Sequence, residues 1–192
     1  MPEIYAIRND GVKFQELDLE LRDVRRSRPD HIPLDDVLQF HIRNTALKSW
    51  WATPHTEFVN LTGNSTASIP DISEWVDSTL VLSPKAYRLL GDLLLSSGEF
   101  LPVVAKGETY YIFNCFIIGD VEDDKSEYEY HEDVRLGLIS LEFKDSASKN
   151  LIFKTPVESC LTLFCNQRFK EIVESFELTG IQFDTELIQT YE

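Results

Sequence analysis

The stretch that decides the fold runs from Thr79 to Ile118 and reads TLVLSPKAYRLLGDLLLSSGEFLPVVAKGETYYIFNCFII. Its first four residues, TLVL, predict a strand. Ser83-Pro84 then supplies an N-cap residue followed by proline at the first helical position, where the missing N–H of proline is harmless. Apolar side chains recur after this cap at helical spacing, at Ala86, Leu89, Leu90, Leu93 and Leu94. The pattern predicts an amphipathic helix over about residues 84–96.

Two more strands are predicted downstream of this helix. Gly98 marks the return of the chain, and Phe100–Val104 reads as a strand. Because Pro102 cannot donate a hydrogen bond to a ladder, we expect that strand to lie at a sheet edge. Thr109–Ile118 is almost wholly apolar, which predicts a central strand covered on both faces.

The C-terminal third repeats this strand–cap–helix order. Asn166 follows the strand-like run Leu161–Cys165 as a second N-cap, and Phe169, Ile172, Val173 and Phe176 form the next apolar stripe. This predicts a helix over about residues 167–177, closed by Thr179-Gly180 and a last strand, Ile181–Phe183. Val134–Phe143 is predicted as a strand with a β-bulge beside Gly137. We predict an α+β fold with a mixed, mostly antiparallel sheet core and two short amphipathic helices packed on it.

The first seventy residues carry weaker signals. Ile4–Ile7 predicts a strand, and the alternation of Leu17, Leu19 and Leu21 with charged residues predicts a half-buried strand. Leu34–Asn44 fits a helix and a strand equally well. We expect residues 1–70 to form a β-rich N-terminal subdomain and residues 71–192 an α+β domain, with one continuous domain over 1–192 as the alternative.

The composition favours a protein partner over nucleic acid or membrane. The chain of 192 residues carries 18 Lys and Arg against 33 Asp and Glu, a formal net charge of −15. Such a field repels phosphates and anionic lipids and attracts basic proteins. The N-terminus lacks the pattern of a signal peptide, and Cys115, Cys160 and Cys165 show no CxxC spacing. We therefore expect a cytoplasmic protein with reduced thiols.

The charge is concentrated in Gly119–Asp133, GDVEDDKSEYEYHED. This acidic stretch has one lysine, Lys125, and eight carboxylates: Asp120, Glu122, Asp123, Asp124, Glu127, Glu129, Glu132 and Asp133. Tyr128 and Tyr130 alternate with its glutamates. Tyrosine is common at binding hot spots, and surrounding carboxylates steer a basic partner. The stretch is expected as a hairpin tip between the strands Tyr110–Ile118 and Val134–Phe143.

Other interpretations of the stretch fit less well. A calcium loop counted from Asp120 needs glycine at its sixth position and glutamate at its twelfth, where this chain has Lys125 and His131. A catalytic carboxyl pair needs an apolar pocket that a hydrophilic loop does not offer. A solvated loop that only protects a sheet edge remains an alternative. We predict no catalytic residues, no metal site and no cofactor.

The adjacent Trp50 and Trp51 are a secondary interaction candidate. Successive side chains of a regular strand face opposite ways, so one tryptophan of the pair could be exposed to a partner. Burial of both at a junction is the alternative.

The order of segments resembles the bacterial immunity protein 11 family, which belongs to polymorphic-toxin and contact-dependent competition systems. The resemblance covers roughly residues 69–184 and is carried by Pro70-Asp71-Ile72, LVLSPKAYRLLGDLL, EFLPV, YYIFN, DDKSEY, NLIFK, LFCNQRFKEIVE and LTGIQF. It implies a small cytosolic protein that binds and blocks a cognate secreted toxin domain, without catalytic residues of its own. The first seventy residues show no such match.

From these observations we expect an immunity protein whose partner is the C-terminal domain of a toxin acting in the cytoplasm, with a basic surface such as that of a nuclease. The charge and tyrosine pattern, and not the resemblance, assigns toxin binding to Asp120, Glu122, Asp123, Asp124, Glu127, Tyr128, Glu129, Tyr130, Glu132 and Asp133. A homodimer is left open. The alternatives are a small metal-dependent or hydrolytic enzyme with an acidic cleft, and an adaptor subunit anchored by the tryptophan pair.

Overall fold

The computed structural model describes residues 3–188 and confirms the predicted α+β fold. The helices are α1 (Leu21–Arg26), α2 (Leu34–Leu38), α3 (Phe40–Arg43), α4 (Pro84–Leu94) and α5 (Gln167–Ser175). The strands of the first half are β1 (Ile4–Asn9), β2 (Glu16–Leu17), β3 (His55–Thr56), β4 (Phe58–Val59), β5 (Ile72–Glu74) and β6 (Thr79–Leu82). Those of the second half are β7 (Gly98–Ala105), β8 (Glu108–Cys115), β9 (Glu127–His131), β10 (Val134–Ser140), β11 (Ile152–Phe153), β12 (Phe164–Asn166) and β13 (Ile181–Asp184).

A five-stranded sheet has the order β3-β7-β8-β6-β5, with only the β3–β7 pair parallel. Strand β8 is central, as its apolar sequence predicts. Pro102 lies in β7, whose outer neighbour β3 reaches only Val104 and Ala105. The prediction that this strand lies at a sheet edge is wrong, because β7 has a neighbour on each side, although β3 does not reach as far as Pro102. The carbonyl of Pro102 accepts a hydrogen bond from Nε1 of Trp51 at 2.7 Å.

A four-stranded sheet has the order β11-β12-β1-β13. Strand β1 comes from the N-terminus and lies between two C-terminal strands, antiparallel to both. The first seventy residues thus contribute an interior strand to a sheet whose other strands all lie after residue 151. This pairing favours one continuous domain over a division at residue 70.

The main core lies between the two sheets and is filled by α4 and α5. Ala86, Leu90 and Leu94 of α4 meet Phe169 and Val173 of α5 in one buried cluster. Both predicted caps are present, since Ser83 Oγ accepts from the Ala86 amide and Asn166 Oδ1 from the Phe169 amide. The helices end at Leu94 and Ser175, each two residues earlier than predicted.

The N-terminal segment differs from its predicted β-rich form. Leu17 and Leu19 are buried as the alternation predicts, but a helix begins at Leu21 because Leu21 and Val24, three positions apart, both pack on the same core. Leu34–Asn44 resolves into α2 and α3. Phe40 of α3 and Leu47, which follows it, pack on the outer face of the five-stranded sheet, and Val37 of α2 is fully buried.

The acidic stretch is also built differently from the prediction. Strand β8 ends at Cys115 and does not pair with β10. Instead β9, which lies inside the acidic stretch, pairs with β10 as a separate two-stranded hairpin. The reason is the alternation of tyrosine and glutamate in β9, which is itself the period of a strand. Within residues 3–188, no helix has the length and apolar character to cross a membrane.

Candidate interaction surface

The hairpin of β9 and β10 carries Tyr128 and Tyr130 on the same strand, two positions apart. Its register pairs Tyr128 with Leu138 and Glu129 with Gly137. The register shifts before Gly137 and again after Leu138. The predicted bulge beside Gly137 is thus confirmed, and a second shift follows between Leu138 and Ser140. Glu132 occupies the two-residue turn with a φ of 53°, in the left-handed region that glycine or asparagine usually fills at such turns.

The residues that precede the hairpin fasten it to the protein body. Val121 forms an isolated antiparallel bridge with Phe143, and the amide of Glu122 donates to the carbonyl of Glu142 at 2.8 Å. Ser126 is buried, and its hydroxyl accepts from the Glu142 amide. Val121 and Phe143 pack in a third core cluster against the outer face of the four-stranded sheet. The acidic stretch therefore has an anchored half, residues 120–126, and a projecting half, residues 127–133.

Most carboxylates of the stretch point to solvent. Glu122 is half-buried, and the exposed ones are Asp120, Asp123, Asp124, Glu127, Glu129, Glu132 and Asp133. Throughout the part of the chain that the structure describes, none of the eight forms an ion pair. The Tyr128 hydroxyl donates to Asp123 Oδ1 at 3.0 Å, which ties the two halves together. The mutual repulsion of these carboxylates destabilises the folded state, and a basic partner would relieve it.

The hairpin also exposes apolar surface that the sequence reasoning did not assign to it. The exposed fractions are 58% for Tyr130, 63% for Val134, 59% for Leu136 and 48% for Ile139. The sequence predicts Val134–Phe143 as the strand that follows a hairpin tip after Tyr110–Ile118, whereas in the structure Val134 and Leu136 belong to the separate β9–β10 hairpin. In the hairpin only Leu138 of this strand packs on the third core cluster. Exposed large apolar groups that lie close together are typical of protein interaction sites.

Two open grooves flank β10. The first, of about 630 Å³, is lined on one side by Ile139–Phe143 and on the other by Glu3, Ile4 and residues 185–188. The second, of about 550 Å³, is lined by Leu136–Leu138, by Leu161 and Thr162, and again by residues 187–188. No residue of β9 lines either groove. Both grooves therefore lie on the side of β10 that faces away from β9.

The second groove contains a carboxyl group that the sequence reasoning missed. Both oxygens of Glu158 accept from the amide of Thr162 at 3.1 Å, and burial raises the pKa of Glu158 to about 7. Arg8 lines the same groove and donates to the hydroxyl of Thr162 and to the carbonyl of Leu187. Arg8 and Glu158 are 150 positions apart, so only the packing of β1 beside β12 brings them together.

Trp50 and Trp51 are both half-buried and pack against the core that covers the outer face of the five-stranded sheet. Besides its bond to Pro102, Trp51 meets Trp75 edge to face at a centroid distance of 6.4 Å. The structure thus places the pair at a junction between the N-terminal segment and the sheet, where each tryptophan keeps part of its surface exposed.

Two arginines of the N-terminal segment and the three cysteines have local contacts that the fold explains. Arg22 and Arg26 form ion pairs with the nearby carboxylates Glu20 and Asp23. The three cysteines are free and buried, and burial raises the pKa of each thiol. Among residues 3–188, no group of three His, Cys, Asp or Glu side chains is arranged to hold a metal ion.

No protein-family model matches this chain, and no curated protein matches it at a significant level. The functional interpretation therefore depends on the chemistry of the hairpin and the grooves, together with the resemblance described above.

Proposed function

We propose that this chain is an immunity protein that binds a cognate secreted toxin domain in the bacterial cytoplasm and neutralises it. The observation that carries the proposal is the projecting hairpin, which combines unpaired carboxylates with exposed Tyr130, Val134, Leu136 and Ile139. An inhibitor acts by presenting such a surface and needs no reactive group of its own. The resemblance to the immunity protein 11 family supports the same class.

The charge narrows the class of toxin. A toxin that cleaves nucleic acid carries a basic active site, because it must bind phosphates. An acidic hairpin complements that site and accelerates encounter by electrostatic steering. Nucleases therefore fit better than toxins with neutral active sites. Neutralisation follows if the hairpin occupies the active site or holds the toxin in an inactive arrangement.

The test is charge reversal on the projecting half of the stretch. Glu127→Lys, Glu129→Lys and Glu132→Lys are combined and compared with a control of Glu57→Lys, Asp92→Lys and Glu108→Lys, which changes the net charge equally at exposed positions elsewhere. The partner is the C-terminal domain of the secreted protein encoded beside this gene. We expect the first variant to associate with it at least about tenfold more slowly at low salt and to lose protection of toxin-expressing cells. Full protection by that variant would exclude the hairpin as the binding surface.

An enzyme with an acidic cleft is the second candidate, and one observation favours it. Glu158 lines a groove beside Arg8, and a pKa near 7 suits a general acid or base. This candidate predicts that Glu158→Gln abolishes an activity while leaving partner binding intact. The immunity proposal predicts that Glu158→Gln protects cells as well as the wild type does.

A further inference from the structure

Strand β10 uses only one of its two backbone edges. One edge pairs with β9 from Val134 to Ser140. On the other edge, no strand or isolated bridge formed by residues 3–188 pairs with β10. Such an edge presents free N–H and C=O groups, interrupted by the register shifts at Leu136 and Ile139, and it can accept a strand of another chain that follows these bulges.

The two grooves leave room for that strand. They follow consecutive residues of β10, Leu136–Leu138 in one groove and Ile139–Ser140 in the other, and β9 lines neither of them. Grooves on a sheet face would be lined by residues of both paired strands. The open space therefore lies beside the unpaired edge, where a further strand would run about 5 Å away.

The lining of the grooves defines the chemistry of the occupant. The first groove carries four carboxylates, Glu3, Glu142, Asp145 and Glu186, against the single cation Lys144. The second groove presents polar and apolar surface in similar measure, with Arg8 and Glu158 in its lining and with Leu136 and Leu161 left 59% and 53% exposed. A strand that is cationic over the half beside the first groove and apolar over the half beside the second groove would satisfy both.

We propose that an extended basic segment of the partner protein adds as a third strand to the free edge of β10. Backbone hydrogen bonds hold the segment along Val134–Ser140, its cationic side chains reach the carboxylates of the first groove, and its apolar side chains cover Leu136 and Leu161. This inference rests on the proposed function for the existence of a protein partner, and it adds the mode of contact and the chemistry of the contacting segment.

A synthetic peptide tests the inference without the toxin. The probe is an acetylated and amidated ten-residue peptide with a lysine-rich half and a valine-rich half, made in both orders, with a second version N-methylated at every other residue. Fluorescence anisotropy measures affinity, and amide hydrogen exchange locates the contact. We expect slowed exchange in Val134–Ser140 and at least about tenfold weaker binding of the N-methylated peptide, because N-methylation removes the edge hydrogen bonds and keeps the charge.

A matched pair of variants tests the charge requirement. Glu142→Lys with Asp145→Lys is expected to weaken peptide binding at least about tenfold, whereas Glu57→Lys with Glu108→Lys, which changes the net charge equally, is expected to keep the affinity within about twofold.

The inference is overturned if neither peptide binds, if both bind equally, if exchange slows in β9 instead of β10, or if the two variant pairs behave alike. Cell protection is scored separately. A protein that protects cells from the toxin but fails the peptide test keeps the proposed function and loses strand addition. A protein that binds the peptide but does not protect cells keeps strand addition and loses the proposed function.

Discussion

The ammonium group of Lys154 donates a hydrogen bond to the main-chain oxygen of His41 at 2.5 Å, although 113 positions separate the two residues. Lys154 is fully buried, and no carboxylate within residues 3–188 forms an ion pair with it. Its main chain also bridges to Ile118 at the start of the segment that leads to the acidic stretch. This lysine thus ties the N-terminal helices to the layer that carries the hairpin.

Replacement of Lys154 should reveal the cost of burying it. Burial lowers the pKa of Lys154 in the folded protein, so the unfolded chain binds more protons and the stability due to this group rises with pH towards 10.5. We expect Lys154→Met to be more stable than the wild type at pH 7, with the advantage shrinking as pH rises to 10. Urea unfolding at several pH values measures this, and Lys149→Met is the exposed control. A stability difference that is constant with pH would contradict the prediction.

The carboxylate of Glu99 should be a main support of the N-terminal segment. It is 7% exposed and accepts hydrogen bonds from the amides of Leu47 and Lys48 and from Nδ2 of Asn114. Glu99→Ala leaves these buried donors unsatisfied, and we expect a loss of at least about 2 kcal/mol in the free energy of unfolding. Denaturant titration measures it, with the exposed Glu57→Ala expected to stay within about 0.5 kcal/mol of the wild type. Equal losses in both variants would refute the role of Glu99.

The stability of the protein should fall between pH 4.5 and pH 7 in part because of Glu158. Burial raises the pKa of Glu158 from 4.5 to about 7, so the folded state holds a proton that the unfolded state has released, and stability is lost as pH rises through this window. Glu158→Gln should remove this contribution. The free energy of unfolding of the variant, measured against that of the wild type, should therefore be up to about 3 kcal/mol higher at pH 8 than at pH 4. Thermal unfolding across this range tests it, and a parallel pH profile of variant and wild type would count against it.

Tyr130 should matter for binding and not for folding. Its side chain is 58% exposed, so Tyr130→Ala is expected to change the free energy of unfolding by less than about 0.5 kcal/mol. A tyrosine at the centre of an interface contributes about 2 kcal/mol, so affinity for the toxin domain should fall roughly thirtyfold. Leu95→Ala, at a residue 62% exposed at the end of α4, is the matched control. Unchanged affinity of the tyrosine variant would place the contact elsewhere.

The local features of the fold could be predicted because their causes lie within a few residues. Ser83 and Asn166 cap their helices through bonds to amides three positions ahead, and the apolar stripes of α4 and α5 need only the helical period. The central place of β8 follows from its unbroken apolar composition. The irregularity at Gly137 was visible as a slip in the alternation along β10.

The candidate surface was predicted only in part. The sequence locates the carboxylates and tyrosines, but it does not show that residues 120–126 are anchored while residues 127–133 project. The free edge of β10 and the grooves beside it exist because β10 pairs with β9 and not with β8. The meeting of Arg8 with Glu158 depends on the place of β1 between β12 and β13.

By itself, the sequence determined the acidic character, the α+β class, both capped helices and the position of the charged stretch. Only the tertiary structure decided that β1 completes the C-terminal sheet, that Trp50 and Trp51 pack at a junction, and that the hairpin forms outside both main sheets. The physical reason is the distance along the chain over which each kind of interaction acts. Caps and periodic patterns act over one or two turns of chain, whereas the partners of β1 are selected by the burial of side chains that lie more than a hundred residues away along the chain.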